Sequence, residues 1–157
     1  MKPRVYLETS IISYLAARPS RDLIVAAHQQ VTHEWWTSRR ADFRLVTSRY
    51  VFEESSQGDP TAAQERLAYL QLCPALTDTP AVEALARKLV ARGALPPKAF
   101  LDALHVAAAA VAGVEYLLTW NCKHIANVEI LPLIESVCRS EKLSSPRIST
   151  PLELLGN

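Results

Sequence analysis

The stretch Lys98–Asn121, KAFLDALHVAAAAVAGVEYLLTWN, decides how this chain folds. Pro96 and Pro97 open it, and proline suits the first turn of a helix, where its missing N–H would have no intrahelical partner. From there to Ala112 the residues are apolar on nearly every side, with Asp102 and His105 as the main interruptions. A helix that is apolar all round is a buried one. Gly113 supplies the stop, because glycine takes the left-handed conformation that ends helices. Tyr116–Thr119 then reads as a short apolar strand. A buried helix running directly into a buried strand is the repeating unit of a parallel sheet covered by helices.

The same alternation recurs on both sides of this stretch. Arg4–Leu7 reads as a strand, and Thr9 or Ser10 can cap a helix that ends before Pro19. Ser20 can cap a longer helix through about Arg39. Phe43–Thr47 is a second strand. Ser48 opens a helix that runs to Gly58, and Pro60 begins another over Thr61–Leu72. Pro80 starts a helix with apolar residues at Val82, Leu85, Ala86 and Leu89, and Gly93 stops it. A helical stretch covers Leu131–Arg139, and Arg147–Ser149 reads as a last strand. No repeat, low-complexity segment or long linker interrupts the pattern, so residues 1–157 read as one domain. The class is α/β, with a mostly parallel central sheet covered by helices on both faces.

Composition bounds the function. The 157 residues are 49% hydrophobic and 21% charged, so a packed core is expected. Seventeen basic residues oppose sixteen acidic ones for a net charge of +1. That balance lacks the strong basic footprint of many nucleic-acid binders, so any RNA contact must be local or made through a metal. Cys73, Cys122 and Cys138 are odd in number and form no CxxC pair, which argues against a disulfide framework or structural zinc and for a cytoplasmic setting. The N-terminal MKPRVYLETS has too short an apolar run for a signal peptide. Leu104–Leu118 is too short, and too rich in alanine, to span a bilayer, so no membrane partner is expected.

In parallel sheets ligands bind beyond the carboxyl ends of the strands. Polar residues stand at those places. Glu8 follows the first strand, Glu53 and Glu54 lie in the helix after the second, and Asn121 follows the third. Asp102 lies near the start of the apolar helix, where a lone carboxylate is costly unless a cation, a donor or the helix N-terminus compensates it. Pairing with Lys98 or capping of backbone groups is the structural alternative. Converging carboxylates raise one another's pKa, and a divalent cation removes the conflict. Oxygen ligands suit Mg²⁺ and phosphate chemistry.

The segments VYLETSIISYL (Val5–Leu15), LVTSRYVFEE (Leu45–Glu54) and KAFLDALHVAAAAVAGVEYLLTWNCKHIAN (Lys98–Asn127) resemble, in order and spacing, the PIN-domain family, and most of all its VapC-type toxins. The resemblance runs from about Val5 to Leu155. It implies a three-layer α/β/α fold and Mg²⁺- or Mn²⁺-dependent endonucleolytic cleavage of RNA. It also implies an antitoxin partner and a homodimer. The family's acidic positions fall on Glu8, where the family usually has Asp, on Glu54 with Glu53 as the near rival, and on Asp102. Glu8, Glu54 and Asp102 are thereby the implied metal ligands. The fourth position falls on Asn121, which keeps a carbonyl oxygen but adds no charge. Ser10 matches a hydroxyl that commonly lines the site. A PIN fold that binds RNA or protein without cutting is the alternative, motivated by the departures at Glu8 and Asn121.

Other residues have open readings. His105, one turn beyond Asp102, either is a packed, hydrogen-bonded helix residue or orients Asp102 or touches substrate. His124 lies near Asn121 and could face the pocket. Cys122 reads as a packed small residue rather than a nucleophile. Trp35 and Trp36 point about 100° apart on a helix, so either both are core or one serves an interface. Arg39, Arg40 and Arg44 form a basic cluster that either steers RNA or is a solvated helix end.

Overall fold

The computed structural model describes residues 1–156. Asn157, the last residue of the expected domain, lies outside them. The described residues form four strands and seven α-helices. The strands are β1 (Arg4–Leu7), β2 (Arg44–Val46), β3 (Tyr116–Leu118) and β4 (Arg147–Ser149). The helices are α1 (Thr9–Ala16), α2 (Leu23–Ser38), α3 (Arg49–Ser55), α4 (Pro60–Leu70), α5 (Pro80–Ala91), α6 (Phe100–Val111) and α7 (Leu131–Ser140).

All strand pairs are parallel, in the order β2-β1-β3-β4. Neighbouring side chains on a strand point to opposite faces. Tyr6 and Leu7 are adjacent and both fully buried, so helices cover both faces of the sheet. The architecture is a three-layer α/β/α sandwich. The chain leaves β1 for β2 at one edge, then returns across β1 to β3. The crevice between the carboxyl ends of β1 and β3 is therefore the topological switch point, where sheets of this kind bind ligands.

Local chemistry accounts for several of the helix ends. At the end of α6, Gly113 (φ +67°) lets its N–H reach Ala110 O, while Val114 N–H reaches Ala109 O. The same pair of bonds closes α5 at Gly93 (φ +80°), from Gly93 to Val90 and from Ala94 to Leu89. Both are glycine-dependent helix closures that satisfy terminal carbonyls. The start of α2 differs from the sequence expectation. Asp22 caps it, accepting from Val25 N–H at 3.0 Å, while Ser20 Oγ accepts from Asp22 N–H instead. The helix starts at Leu23, with Asp22 in the cap position and Ser20 bracing the Asp22 backbone. Pro97–Ala99 is a 3-10 turn leading into α6, so that helix begins three residues later than the prolines suggest.

The core joins β1, β3, α5 and the alanine face of α6, with Trp35 and Trp36 both buried in it. No helix among the described residues is long and apolar enough to cross a membrane.

Candidate metal centre

Glu8 is the first residue beyond β1. Its backbone N–H still pairs with Leu118 O at 3.1 Å, so the strand geometry extends to it and fixes where its side chain leaves. The side chain is only 5% exposed. It is the most buried carboxylate of the candidate set, a place the sequence reading had given to Asp102. Burial requires compensation. Two hydroxyls provide it: Ser10 Oγ and Thr119 Oγ1 each donate to Glu8 Oε1 at 2.5 Å. Both donors engage one oxygen, which leaves Oε2 without a hydrogen-bond donor among the described residues.

Glu54 reaches the same place from α3. Its Oε1 accepts from Thr9 Oγ1 at 2.5 Å and lies 2.6 Å from His105 Nε2. Glu53 points elsewhere. It is 58% exposed and pairs with Arg49 one turn earlier, so the geometry separates the two neighbouring acids. Burial pushes the Glu54 carboxyl up, but the hydrogen bonds from His105 and Thr9 outweigh it and hold the group below its ordinary value.

His105 is completely buried and is the hub of a polar chain. Its Nδ1 lies 2.7 Å from the Tyr6 hydroxyl, which lies 2.6 Å from Ser48 Oγ. A neutral ring satisfies every member of this chain. Ser48 donates to Tyr6, Tyr6 to Nδ1, and Nε2–H to Glu54. A buried imidazole with both nitrogens used is held in one orientation. Burial in turn raises the Tyr6 hydroxyl well above its ordinary pKa, so it stays protonated and available to donate. His105 thus orients Glu54 rather than Asp102.

The result is a compact group. Ligand atoms of Glu8, Glu54 and His105 all lie within 4.8 Å of one another. Asp102 is outside this group. It stands one turn before His105 on α6, 23% exposed, with Oδ2 3.1 Å from His124 Nδ1. Asn121 follows β3. Its N–H donates to Thr119 Oγ1, and its side-chain oxygen accepts from His124 N–H at 3.0 Å. That oxygen therefore caps the turn that carries His124. Asp102, His124 and Asn121 make a second polar cluster, joined to the first through Thr119 and through the α6 backbone.

The sequence reading missed three contributors: Tyr6, Thr9 and Thr119. Only Thr119 left a signal, as a polar residue closing an apolar strand. Cys122 is exposed rather than packed. Arg44 opens β2 and pairs in register with Arg4, so the Arg39–Arg40–Arg44 cluster lies at the amino end of the sheet, opposite the acids. Arg40 there covers the Trp36 ring at 4.5 Å, and Arg39 pairs with Asp42 at 2.8 Å.

Comparison with protein-family models gives no match, and comparison with curated proteins gives none either.

Proposed function

We propose that the chain is a divalent-metal-dependent endoribonuclease of the PIN-domain type, the toxin of a type II toxin–antitoxin pair. The observation that carries the reading is the convergence of Glu8 and Glu54 at the switch point of the sheet, within 4.8 Å of each other. Two ionised carboxylates at that separation repel by at least about 3 kcal/mol at an effective dielectric of about 20. The hydrogen bonds from His105 and Thr9 reach only the Glu54 side of the pair. The donor set is two carboxylates flanked by hydroxyls, which fits a hard cation such as Mg²⁺ or Mn²⁺. When bound there, such a cation supplies charge stabilisation on a phosphodiester and a more acidic water.

The protein's own groups do the positioning. Glu8 and Glu54 would hold the metal, with Asp102 and Asn121 contributing directly or through water. Ser10 and Thr119 fix one oxygen of Glu8 and leave the other free of donors among the described residues. Thr9 and His105 fix Glu54 from behind. Such supporting bonds orient ligands and are conserved in effect even when they touch no metal. Lys98 precedes Asp102 by one turn, and Lys123 adjoins His124. Both are exposed and suited to phosphate contact. An antitoxin partner, a homodimer and a cytoplasmic setting belong to the same proposal, on the strength of the sequence resemblance alone.

Incubation of purified protein with RNA tests the reading. Cleavage is expected with Mg²⁺ or Mn²⁺, none with EDTA, and a loss of about 100-fold or more in Asp102→Asn. Cleavage that persists in EDTA, or is undiminished in Asp102→Asn, contradicts it. A second reading is favoured by one observation: His124 engages both Asp102 Oδ2 and Asn121 Oδ1. On that reading the fold binds RNA or protein without cutting, and Mn²⁺ gives no thermal stabilisation.

A further inference from the structure

We propose that Tyr14, His28 and Trp120 form a platform on which a base of single-stranded RNA stacks beside the acidic site. The identity of the ligand rests on the ribonuclease reading; the geometry of the platform does not. The His28 and Trp120 rings are stacked at 3.9 Å with their planes 10° apart, and Tyr14 lies 6.4 Å from each. All three residues are only half-buried.

The platform's Trp120 ring is anchored. Trp120 Nε1–H donates to Thr32 Oγ1 at 2.7 Å, and the same hydroxyl donates to His28 O at 2.6 Å. Thr32 is completely buried, so one sealed hydroxyl fixes the Trp120 ring from beneath and ties it to the α2 backbone at His28. A ring held in this way loses little freedom on binding. Its polar edge is satisfied inside, which leaves aromatic surface as what it offers to solvent.

The platform is also continuous with the acids. Trp120 N–H donates to Ser10 Oγ at 2.8 Å, and Ser10 donates to Glu8. Ser10 and Tyr14 are one turn apart on α1, so a single helix face carries the hydroxyl at the carboxylate and the ring at the platform. Stacking suits this location for an electrostatic reason. The site is acidic, and the Arg39–Arg40–Arg44 cluster lies at the far end of the sheet. A base can be gripped without charge, and aromatic stacking does so with little sequence preference.

The test is binding of a fluorescein-labelled single-stranded RNA oligonucleotide in EDTA, where cleavage does not interfere. The proteins are wild type, Trp120→Leu, Trp120→Phe and His28→Ala, each checked for folding by circular dichroism and melting. His28 is half-exposed on α2, so its variant keeps the test open if Trp120→Leu fails to fold. Kd is expected to rise about tenfold in Trp120→Leu and in His28→Ala, and less in Trp120→Phe, which retains a ring. An abasic nucleotide scanned along the oligonucleotide is expected to weaken wild-type binding at one position and to have no further effect in Trp120→Leu or His28→Ala. Mononucleotides serve as the comparison for a free base.

Equal Kd for all four proteins, no oligonucleotide binding by wild type, or an undiminished abasic penalty in the variants overturns the platform. The two proposals fail separately. Base-dependent binding without cleavage in Mn²⁺ leaves the platform standing and removes the ribonuclease reading. Metal-dependent cleavage with Kd unchanged in the variants does the reverse.

Discussion

Replacing His105 with leucine removes the centre of the buried polar chain without opening a large void, because the two side chains are similar in volume. Two hydrogen bonds disappear, one to ionised Glu54 and one to Tyr6. A bond to a charged group contributes about 1.5–3 kcal/mol, and a neutral one about 1 kcal/mol. Neither partner is orphaned. Glu54 Oε1 keeps Thr9, and the Tyr6 hydroxyl keeps Ser48. The cost therefore falls at the lower end, about 2–3 kcal/mol near neutral pH, which lowers the melting temperature of a chain this size by about 4–12 °C. Urea denaturation of the two proteins measures it.

The pH dependence has a definite sign. Glu54 is held below its ordinary value of 4.5 in the folded protein. A depressed carboxyl contributes stability that is present above the unfolded pKa and lost as pH falls through the folded one. The His105 hydrogen bond does most to lower it, so the gap between wild type and His105→Leu narrows on acidification below about pH 4.5. In a double-mutant cycle, Tyr6→Phe and His105→Leu should couple by about 0.5–3 kcal/mol, since they share one bond. A gap under about 0.5 kcal/mol at pH 7, or one that widens in acid, refutes the reasoning.

Thiol labelling of the native protein should show one fast site and two slow ones, because Cys122 is exposed while Cys73 and Cys138 are buried; burial also pushes the Cys73 thiol up to about 12. Three equally fast thiols would contradict that placement. Gly93→Ala should cost about 1 kcal/mol in urea denaturation despite open space around it, because its φ of +80° is unfavourable for alanine; an unchanged midpoint would mean the closure of α5 is not strained. Arg40→Ala and Arg44→Ala should leave both RNA affinity and its salt slope unchanged, since each true phosphate contact changes the slope by about 0.7–0.9; a reduced slope would bring RNA to the amino end of the sheet.

The fold was legible because its signals are local. The four strands, the two glycine stops and the buried alanine helix can each be read from a few adjacent residues. Glu8 and Glu54 were legible as acids placed after strands. What could not be read is how side chains from different elements share one space. The pattern marks Asp102 as a costly buried carboxylate, since its helix is apolar all round. Yet α6 tilts its first turn to solvent, and the sealed carboxylate is Glu8, whose compensation comes from Thr119 more than a hundred residues away. His105 likewise spans from β1 to α3, a triangle that no spacing along α6 reveals. The basic cluster was visible as charge, but its distance from the acids depends on which end of β2 it occupies.

The central claim is that Glu8 and Glu54 together hold a divalent cation, and Mn²⁺ titration of metal-free protein, followed by calorimetry and melting, tests it most directly. Wild type should bind Mn²⁺ and gain about 2.7 kcal/mol of stability at a hundredfold excess over Kd. Glu8→Gln and Glu54→Gln should lose that gain, while Glu53→Gln, altered one residue away but outside the group, should keep it. No Mn²⁺ binding by wild type, or equal binding by all three variants, would contradict the account.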